Sequence, residues 1–390
     1  MPQTKPQPKN WQKIKLGEIA QDIRESYIPA KTEEKPYIGL EHIEQQTLQI
    51  SDIGKSNETQ SAKRVFKAGD ILFGTLRPYF RKVARPKFDG VCSTDITVIR
   101  PTQKGDGNFL KYFIANQDFI DFASNISSGT RMPRANWKTL QKMEWLLPEL
   151  NEQNKIGDIL SAYDDLIENN TNRIKILEQI AQMIYREWFV YFRFPGHEKI
   201  KMVDSKTEFG KIPEGWDVKN LGDKIKILRG RNITKNTIVP GKVPVVAGGM
   251  GPAYFHNKAN VEGPAITVSA SGANSGYINL YHEDIWASDC SYINKNSTHF
   301  VYYYFLLLKN RQAEVTGLQR GSAQPHVYPK DLARLLIVDP PEELVHSFEE
   351  MAESTFGMIN NFQLQNKNLR QVRDLLLPKL VTGELEIKQK

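Results

Sequence analysis

Two long stretches of the chain place apolar residues at alternating intervals of four and three. The first runs through Ile156, Leu160, Tyr163, Ile167, Asn170, Ile174, Leu177, Ala181, Ile184 and Trp188. The second, weaker but on the same spacing, runs through Phe348, Ala352, Thr355, Ile359, Phe362, Asn366, Leu369, Arg373, Leu376 and Leu380. That spacing keeps one stripe of a helix apolar, and sustained over several heptads it is the seam of a coiled coil. Pro148 stands just before the first stretch, Pro340 and Pro341 before the second, and Pro195-Gly196 after the first, where proline and glycine mark helix boundaries. Each helix is therefore predicted to run about 40 residues, or on the order of 60 Å at about 1.5 Å per residue. One seam position near the middle of each is polar, Asn170 and Asn366. An antiparallel pair overlapping along its full length brings them together, and a polar seam residue fixes register at some cost in stability. The alternative is that each helix packs independently on its own domain.

The chain also repeats once. At an offset of 192 without gaps, SGTRMPRANWKTLQKMEWLLP from 128 lies over RGSAQPHVYPKDLARLLIVDP from 320, so that Gly129, Pro133, Lys138, Leu140 and Pro148 meet Gly321, Pro325, Lys330, Leu332 and Pro340. A parallel helix pair at this offset would set Asn170 against Phe362 instead. The starts correspond too, WQKIKLGEI from Trp11 and WDVKNLGDK from Trp216, whereas the interiors, 25–127 and 230–319, hardly resemble one another. A shared frame around divergent interiors predicts one scaffold presenting two different recognition surfaces. Residues 193–215, rich in charge, Gly and Pro, read as a linker, and residues 1–10 as a disordered leader.

At 390 residues and 40% hydrophobic the chain has length for two or three domains, with no secretory h-region and no window of about eighteen apolar residues for a membrane span. A cytoplasmic protein is expected. Two cysteines, Cys92 and Cys290, are too few for a disulfide framework or a four-ligand zinc site and read as small core residues. The net charge of +7 permits nucleic-acid binding, and its distribution says more. Lys63, Arg64, Lys67, Arg77, Arg81, Lys82, Arg85 and Lys87 face one acid, Asp70, within residues 61–87, and residues 224–242 hold six cations and no acid. Paired basic runs in corresponding parts of the halves point to phosphate contact, although such runs also form plain solvated faces.

Catalytic motifs fail on inspection. VDPPEE at 338–343 is close to the Asp-Pro-Pro-aromatic motif of amino-methyltransferases, but Glu342 replaces the aromatic and no donor-binding turn precedes it, so it reads as the approach to a helix. Gly54-Lys55-Ser56 lacks the leading glycine of a phosphate loop, and Glu208 with Lys211 is a chance pairing. SASGANSGY at 269–277 lacks a phosphate-loop lysine and dinucleotide spacing, and reads as a tight turn allowing close backbone approach to DNA or to a neighbouring strand.

The run LLPELNEQNKIGDILSAYDDLIENNTNRIKILEQIAQMIYREWFVYFRFPGHE, the restart GKIPEGWDVKNLGD and the ending LLLPKLVTGELEI resemble the conserved regions of type I restriction-modification specificity subunits. That resemblance implies an α+β chain of two mixed α/β target recognition domains joined by two long antiparallel coiled-coil helices, with a pseudo-two-fold repeat. The domains would be 1–148 and 216–340, the spacer helices 149–192 and 341–390 with the tail, and the linker 193–215. It implies a non-catalytic DNA-recognition subunit, each domain reading one part of a bipartite asymmetric site on double-stranded DNA. Two methyltransferase subunits would dock on the helices, and restriction subunits would join through that core. No cofactor is expected on this chain, with S-adenosylmethionine, ATP and Mg on the partners. A related system with a fused restriction-methylation partner is the alternative; a disguised enzyme or a purely structural coiled coil are rivals from other classes.

From side-chain chemistry the candidate DNA contacts are Arg77, Tyr79, Arg81, Arg131 and Arg134 in the first domain and Arg229, Arg231, Asn274, Tyr277, Arg320, Gln324 and His326 in the second. Arg, Asn and Gln can bond base edges in bidentate fashion, while lysines suit phosphates.

Overall fold

The structure is a computed structural model that describes residues 10–127, 131–321 and 325–387; Gln324 and residues 1–9 of the leader lie outside the described residues. The chain divides into two units, Met1–Asn170 with Gln365–Lys390, and Thr171–Leu364.

The first unit is built on an antiparallel four-stranded sheet in the order Ala20–Ile23, Ile96–Pro101, Ile71–Gly74, Val83–Ala84. Its central strands, ILFG and ITVIRP, are near-continuous apolar runs because both faces are covered. Alternate side chains feed two cores. Ile71, Phe73 and Ile99 face one built with Phe109, Phe113 and Phe119, while Leu72, Ile96 and Val98 face another with Ile38, Phe66 and Cys92. The aromatic core belongs to helices Gly107–Ala115 and Gln117–Asn125, the first capped by Asp106, whose carboxylate accepts from Phe109 N at 2.7 Å. The other core lies under a five-stranded sheet ordered Ser26–Tyr27, Lys63–Phe66, Gly90–Cys92, Pro36–Ile38, Gly54–Lys55. A separate ladder pairs Gln12–Lys15 with Glu144–Leu147 and ties the Trp11 frame to the residues leading into the first long helix.

The second unit repeats this plan. Its four-stranded sheet runs Leu228–Arg229, Cys290–Asn294, Ala265–Ser269, Ile278–Tyr281, and Asp217–Asn220 pairs with Leu336–Asp339. Ile266, Val268, Ile278 and Ile293 face the helical core, and Ala265, Tyr281 and Cys290 the other. In place of the five-stranded sheet stands a three-stranded one of Pro252–His256, Val243–Val246 and Trp286–Ala287. Helix Val301–Asn310 takes its cap from Glu349 on the second long helix, whose two carboxylate oxygens accept from Tyr302 N at 2.9 Å and Tyr303 N at 2.8 Å. The segment 193–215 is more structured than a linker: Met202–Asp204 pairs with Lys211–Pro213, and Phe194 stacks on Trp216 at 5.2 Å. Left-handed residues at Lys206 and Gly210 make the reversal, a signal too short for periodicity to expose.

Two long helices, Leu150–Tyr185 and Glu342–Val381, contribute to both units, the first continuing as a π turn, Arg186–Val190. Every seam position of both stripes is buried or half-buried. In the first unit Asp164 meets Arg373 and Asn170 meets Asn366; in the second Arg173 lies over Phe362 and Tyr185 packs on Phe348. Partners descend on one helix as they ascend on the other, so within each unit the pairing is antiparallel. Asn170 Nδ2 donates to Asn366 Oδ1 at 3.0 Å and Asn366 Nδ2 to the Ile167 carbonyl at 3.3 Å, which is the register contact expected of two seam asparagines. The α+β class, the internal repeat and the long antiparallel helices all hold. Both cysteines are fully buried thiols, and burial pushes each up to about 12.

Candidate nucleic-acid interface

At one end of the first unit's sheet, the loop after Ile71–Gly74 is caged by backbone hydrogen bonds. Gly74 N donates to Lys82 O at 2.9 Å, closing the loop, and Phe80 N donates to Arg77 O at 3.0 Å inside it. A second loop locks on from outside: Arg77 N donates to Pro133 O at 2.8 Å and Ala135 N to Thr75 O at 3.0 Å, with Leu76 bridged to Arg134. A third contact comes from Asp95, whose carbonyl accepts from Thr75 N at 2.9 Å. The Asp95 carboxylate holds Arg134 through Nε at 3.1 Å and Nη2 at 3.0 Å.

The second unit builds the same cage bond for bond. Ser269 N donates to Tyr277 O at 2.9 Å, Ser275 N to Gly272 O at 3.0 Å, Gly272 N to Pro325 O at 3.1 Å, Val327 N to Ala270 O at 3.0 Å and Ala270 N to Asp289 O at 3.1 Å, with Ser271 bridged to His326. The glycine-rich run is thus a tight turn, and it is the counterpart of Gly74–Lys82. Arg77 corresponds to Gly272 and Arg81 to Gly276, and all four are left-handed, with φ of 53°, 83°, 52° and 85°. Glycine adopts that conformation freely, whereas any other residue gives up about 1–2 kcal/mol. The acid recurs as well: the Asp289 carboxylate accepts from Ser271 Oγ and pairs with Arg229 at 2.6 Å.

The cage gathers several of the candidates. Tyr79 is 50% exposed at the tip of the first loop, Arg131 is exposed beside it with its carbonyl 3.5 Å from Arg77 Nη2, and Arg134 is held by Asp95. Arg81 turns inward instead. Its Nε is buried without a partner, and burial lowers the pKa of its guanidinium, partly countered by the attraction of Asp374. In the second unit Asn274 occupies the place of Tyr79, and Arg320 and His326 pair through their backbones in the outer loop. Arg320 also forms an ion pair with Asp331 at 2.7 Å, and the His326 ring stacks on Tyr328 at 5.7 Å. Tyr277 packs under Lys309, whose ammonium lies 4.6 Å from its ring centre, and the exposed Arg231 receives the Trp286 indole N–H on its carbonyl at 2.9 Å.

The two basic runs fare differently. In residues 61–87, Arg64, Lys67 and Lys87 pair with Asp22, Asp89 and the Asp165/Glu168 couple, while Lys63, Lys82 and Arg85 are bonded to backbone oxygens of Ser61, Leu40 and Gly69. Of that run, among the described residues, Arg81 has no such tie and Arg77 only the long 3.5 Å contact to the Arg131 carbonyl. In the second run Lys224 and Arg229 pair with Asp339 and Asp289, and Lys226, Arg231, Lys235 and Lys242 stay exposed with no ion pair among the described residues. Of the two runs, the exposed cations without an ion pair among the described residues therefore lie in the second. Among the described residues no three His, Cys, Asp or Glu side chains converge to hold a metal ion.

Sequence reasoning missed Asp95 and Asp289, the acids that anchor both cages. The signal was present as Thr94-Asp95 and Ser288-Asp289 just before corresponding strands, but at a different offset from the ungapped repeat. The decoys resolve as read: Asp339 of VDPPEE pairs with Lys219 at 2.8 Å as the chain turns into the second helix, and Lys55 of GKS pairs with Glu34 at 3.2 Å.

Comparison with known proteins agrees with this architecture. The family described as Type I restriction modification DNA specificity domain matches residues 8–179 and 213–344. The chain is similar to the type I restriction enzyme MjaIX specificity subunit of Methanocaldococcus jannaschii, 27% identical over 98% of this chain and 95% of that one. It is also similar to the HindI specificity subunit of Haemophilus influenzae, 22% identical over 96% of this chain and 100% of the other. Neither supports the alternative of a fused-partner system. In fold it resembles the crystal structure of a type I restriction-modification S subunit from M. genitalium, with TM-score 0.61, 15% identity and coverage of 98% and 100%. With two matched regions that fall on the two halves of the repeat, the chain belongs to the type I restriction-modification DNA specificity family, and its role is recognition of DNA sequence rather than catalysis.

Proposed function

We propose that each unit reads one element of a bipartite, asymmetric site in double-stranded DNA with its caged loops, and that the paired helices set the spacing between the elements. One observation carries this reading: an identical backbone cage recurs in both units with different side chains mounted on it. Arg77, Tyr79, Arg131 and Arg134 would serve the first element, with Arg81 behind them. Arg229, Arg231, Asn274, Tyr277, Arg320, Gln324 and His326 would serve the second. Domains at 1–148 and 216–340, spacers at 149–192 and 341–390 and a connection at 193–215 follow from the same reading.

Two methyltransferase subunits would dock on the long helices, and restriction subunits would join through them. Apolar residues left exposed there support docking: Leu166 and Leu375 in the first unit, Ile176, Met183 and Leu364 in the second, each at least half exposed. S-adenosylmethionine, ATP and Mg would then belong to those partners, and the assembly to the cytoplasm; no helix among the described residues is long and apolar enough to cross a membrane. The test is methylome mapping in cells that carry the chain with its methyltransferase partner. Exchanging residues 25–127 for those of a relative should change one element of the methylated site and leave the other, and a swap that changed both or neither would refute the two-reader arrangement.

A further inference from the structure

We propose that Arg77 reads a guanine in the major groove of the first unit's element, aimed there by its left-handed backbone. The inference rests on the two-reader function above and names the side chain through which one reader works.

The cage dictates a left-handed residue at this place in both units. In the second unit Gly272 meets the demand at φ 83°, and a Cβ built on it would touch nothing within 4 Å among the described residues. The position itself is therefore open, and glycine is there for the backbone. In the first unit the same bend is made by an arginine at φ 53°. A residue held in a disfavoured conformation where its counterpart is glycine points to a side chain used for something else.

The state of the guanidinium says what. Three of the cationic neighbours in the two cages are neutralised, Arg134 by Asp95, Arg229 by Asp289 and Arg320 by Asp331, while the exposed Arg131 has no ion pair among the described residues. Arg77 has no ion pair among the described residues. Its Nε is buried and has no partner among them, and Nη2 only grazes the Arg131 carbonyl at 3.5 Å, long for a hydrogen bond. Arg81, the second left-handed arginine, differs in its space: its counterpart Gly276 sits where a Cβ would lie 2.9 Å from Thr316 Cα, whereas the Nε of both arginines is buried without a partner among the described residues. Arg77 is thus an under-satisfied planar fork beside the exposed Tyr79. Guanine O6 and N7 present the pair of acceptors that such a planar fork takes in bidentate fashion, a fixed geometry that the flexible point charge of lysine does not hold. With a bare glycine at the same place, the second unit lacks this reader, so its element need not contain that guanine.

The experiment compares the full-length chain with Arg77→Gly and Arg77→Lys, selecting from a randomised duplex library and measuring Tm without DNA. Arg77→Gly should keep or raise Tm, since glycine relieves the backbone, while discrimination at one guanine of one element falls on the order of tenfold to a hundredfold and the other element is unchanged. Arg77→Lys should retain binding but lose that same discrimination. An unchanged motif in the glycine variant, a lowered Tm with the motif intact, or full retention of the motif by lysine would each overturn the proposal. A wild-type chain that selects no bipartite motif would instead bring down the two-reader function, and this inference with it.

Discussion

Replacing Asp164, which flanks the seam residue Tyr163, by asparagine should strongly destabilise the first unit. Arg373 occupies a seam position and is fully buried, and Lys111 is 8% exposed. Asp164 lies between them, 2.5 Å from each, and also accepts from Tyr112 Oη at 2.7 Å. Arg373 further bonds the Thr47 carbonyl at 2.9 Å, so the network fastens the loop around Thr47 to the second helix. Burial opposes ionisation of Asp164, but Lys111 and Arg373 outweigh it and hold the carboxyl below the usual range. One acid thus serves two interior cations; its loss strands Lys111 and leaves Arg373 only the half-exposed Asp374 at 2.9 Å. Breaking a buried pair from one side costs about 3–5 kcal/mol. In a unit of this size that corresponds to a fall in Tm of roughly 6–20 °C. Arg373→Met should cost less, because Asp164 keeps Lys111, and Asp374→Asn least, since Asp374 is about half exposed. The sign with pH follows: the carboxyl's folded pKa is depressed, so its contribution is present above the unfolded value and is lost as pH falls through the folded one. Thermal and urea unfolding of the three variants at neutral pH gives the order directly. A methionine variant less stable than the asparagine one would refute the claim that the acid is the scarce partner.

Two other perturbations read different parts of the molecule. Asn170→Leu alone should lower stability by about 1–3 kcal/mol by removing the donor to the buried Asn366 Oδ1, whereas the double change with Asn366→Leu should raise it and loosen register; a double variant weaker than either single would argue against a register role. Burial pushes the Glu349 carboxyl up to about 7, against the two backbone N–H groups that pull it down. The folded second unit then holds the proton more tightly than the unfolded chain, so it should lose up to about 3 kcal/mol as pH rises from the unfolded value to about 7, with no further loss above. Glu349→Gln should flatten that decline in urea titrations, and an unchanged slope would place the titration elsewhere.

The helix seams were legible in the sequence because periodic burial leaves a periodic trace, and the two asparagines stood out as the only amides on otherwise mostly apolar stripes. The charge runs misled for the opposite reason. A count along the chain cannot see that Arg64 meets Asp22 or that Lys87 reaches Asp165 and Glu168 on the long helix, so six of the eight cations in the first run were already committed. The hairpin within 193–215 was hidden by strands of three residues, too short to show alternation.

The cage was invisible for a more instructive reason. Its members repeat at several distances, 192 residues for Pro133 and Pro325, 194 for Asp95 and Asp289, 195 for Arg77 and Gly272, so no ungapped comparison aligns them together. Its bonds are also made by backbone groups, which leave no requirement on side-chain identity except where φ is positive or a carboxylate must anchor the loop. A loop specified in that way can exchange what it displays while keeping its shape, since Tyr79 can stand where the other unit has Asn274 without disturbing a single cage bond. The divergence of the interiors, which made the two halves hard to align, is therefore the freedom that lets one scaffold present two unlike surfaces. The left-handed positions are where that freedom is narrowest, and an arginine found at one of them is where a change of display should be felt most directly in the sequence the protein selects.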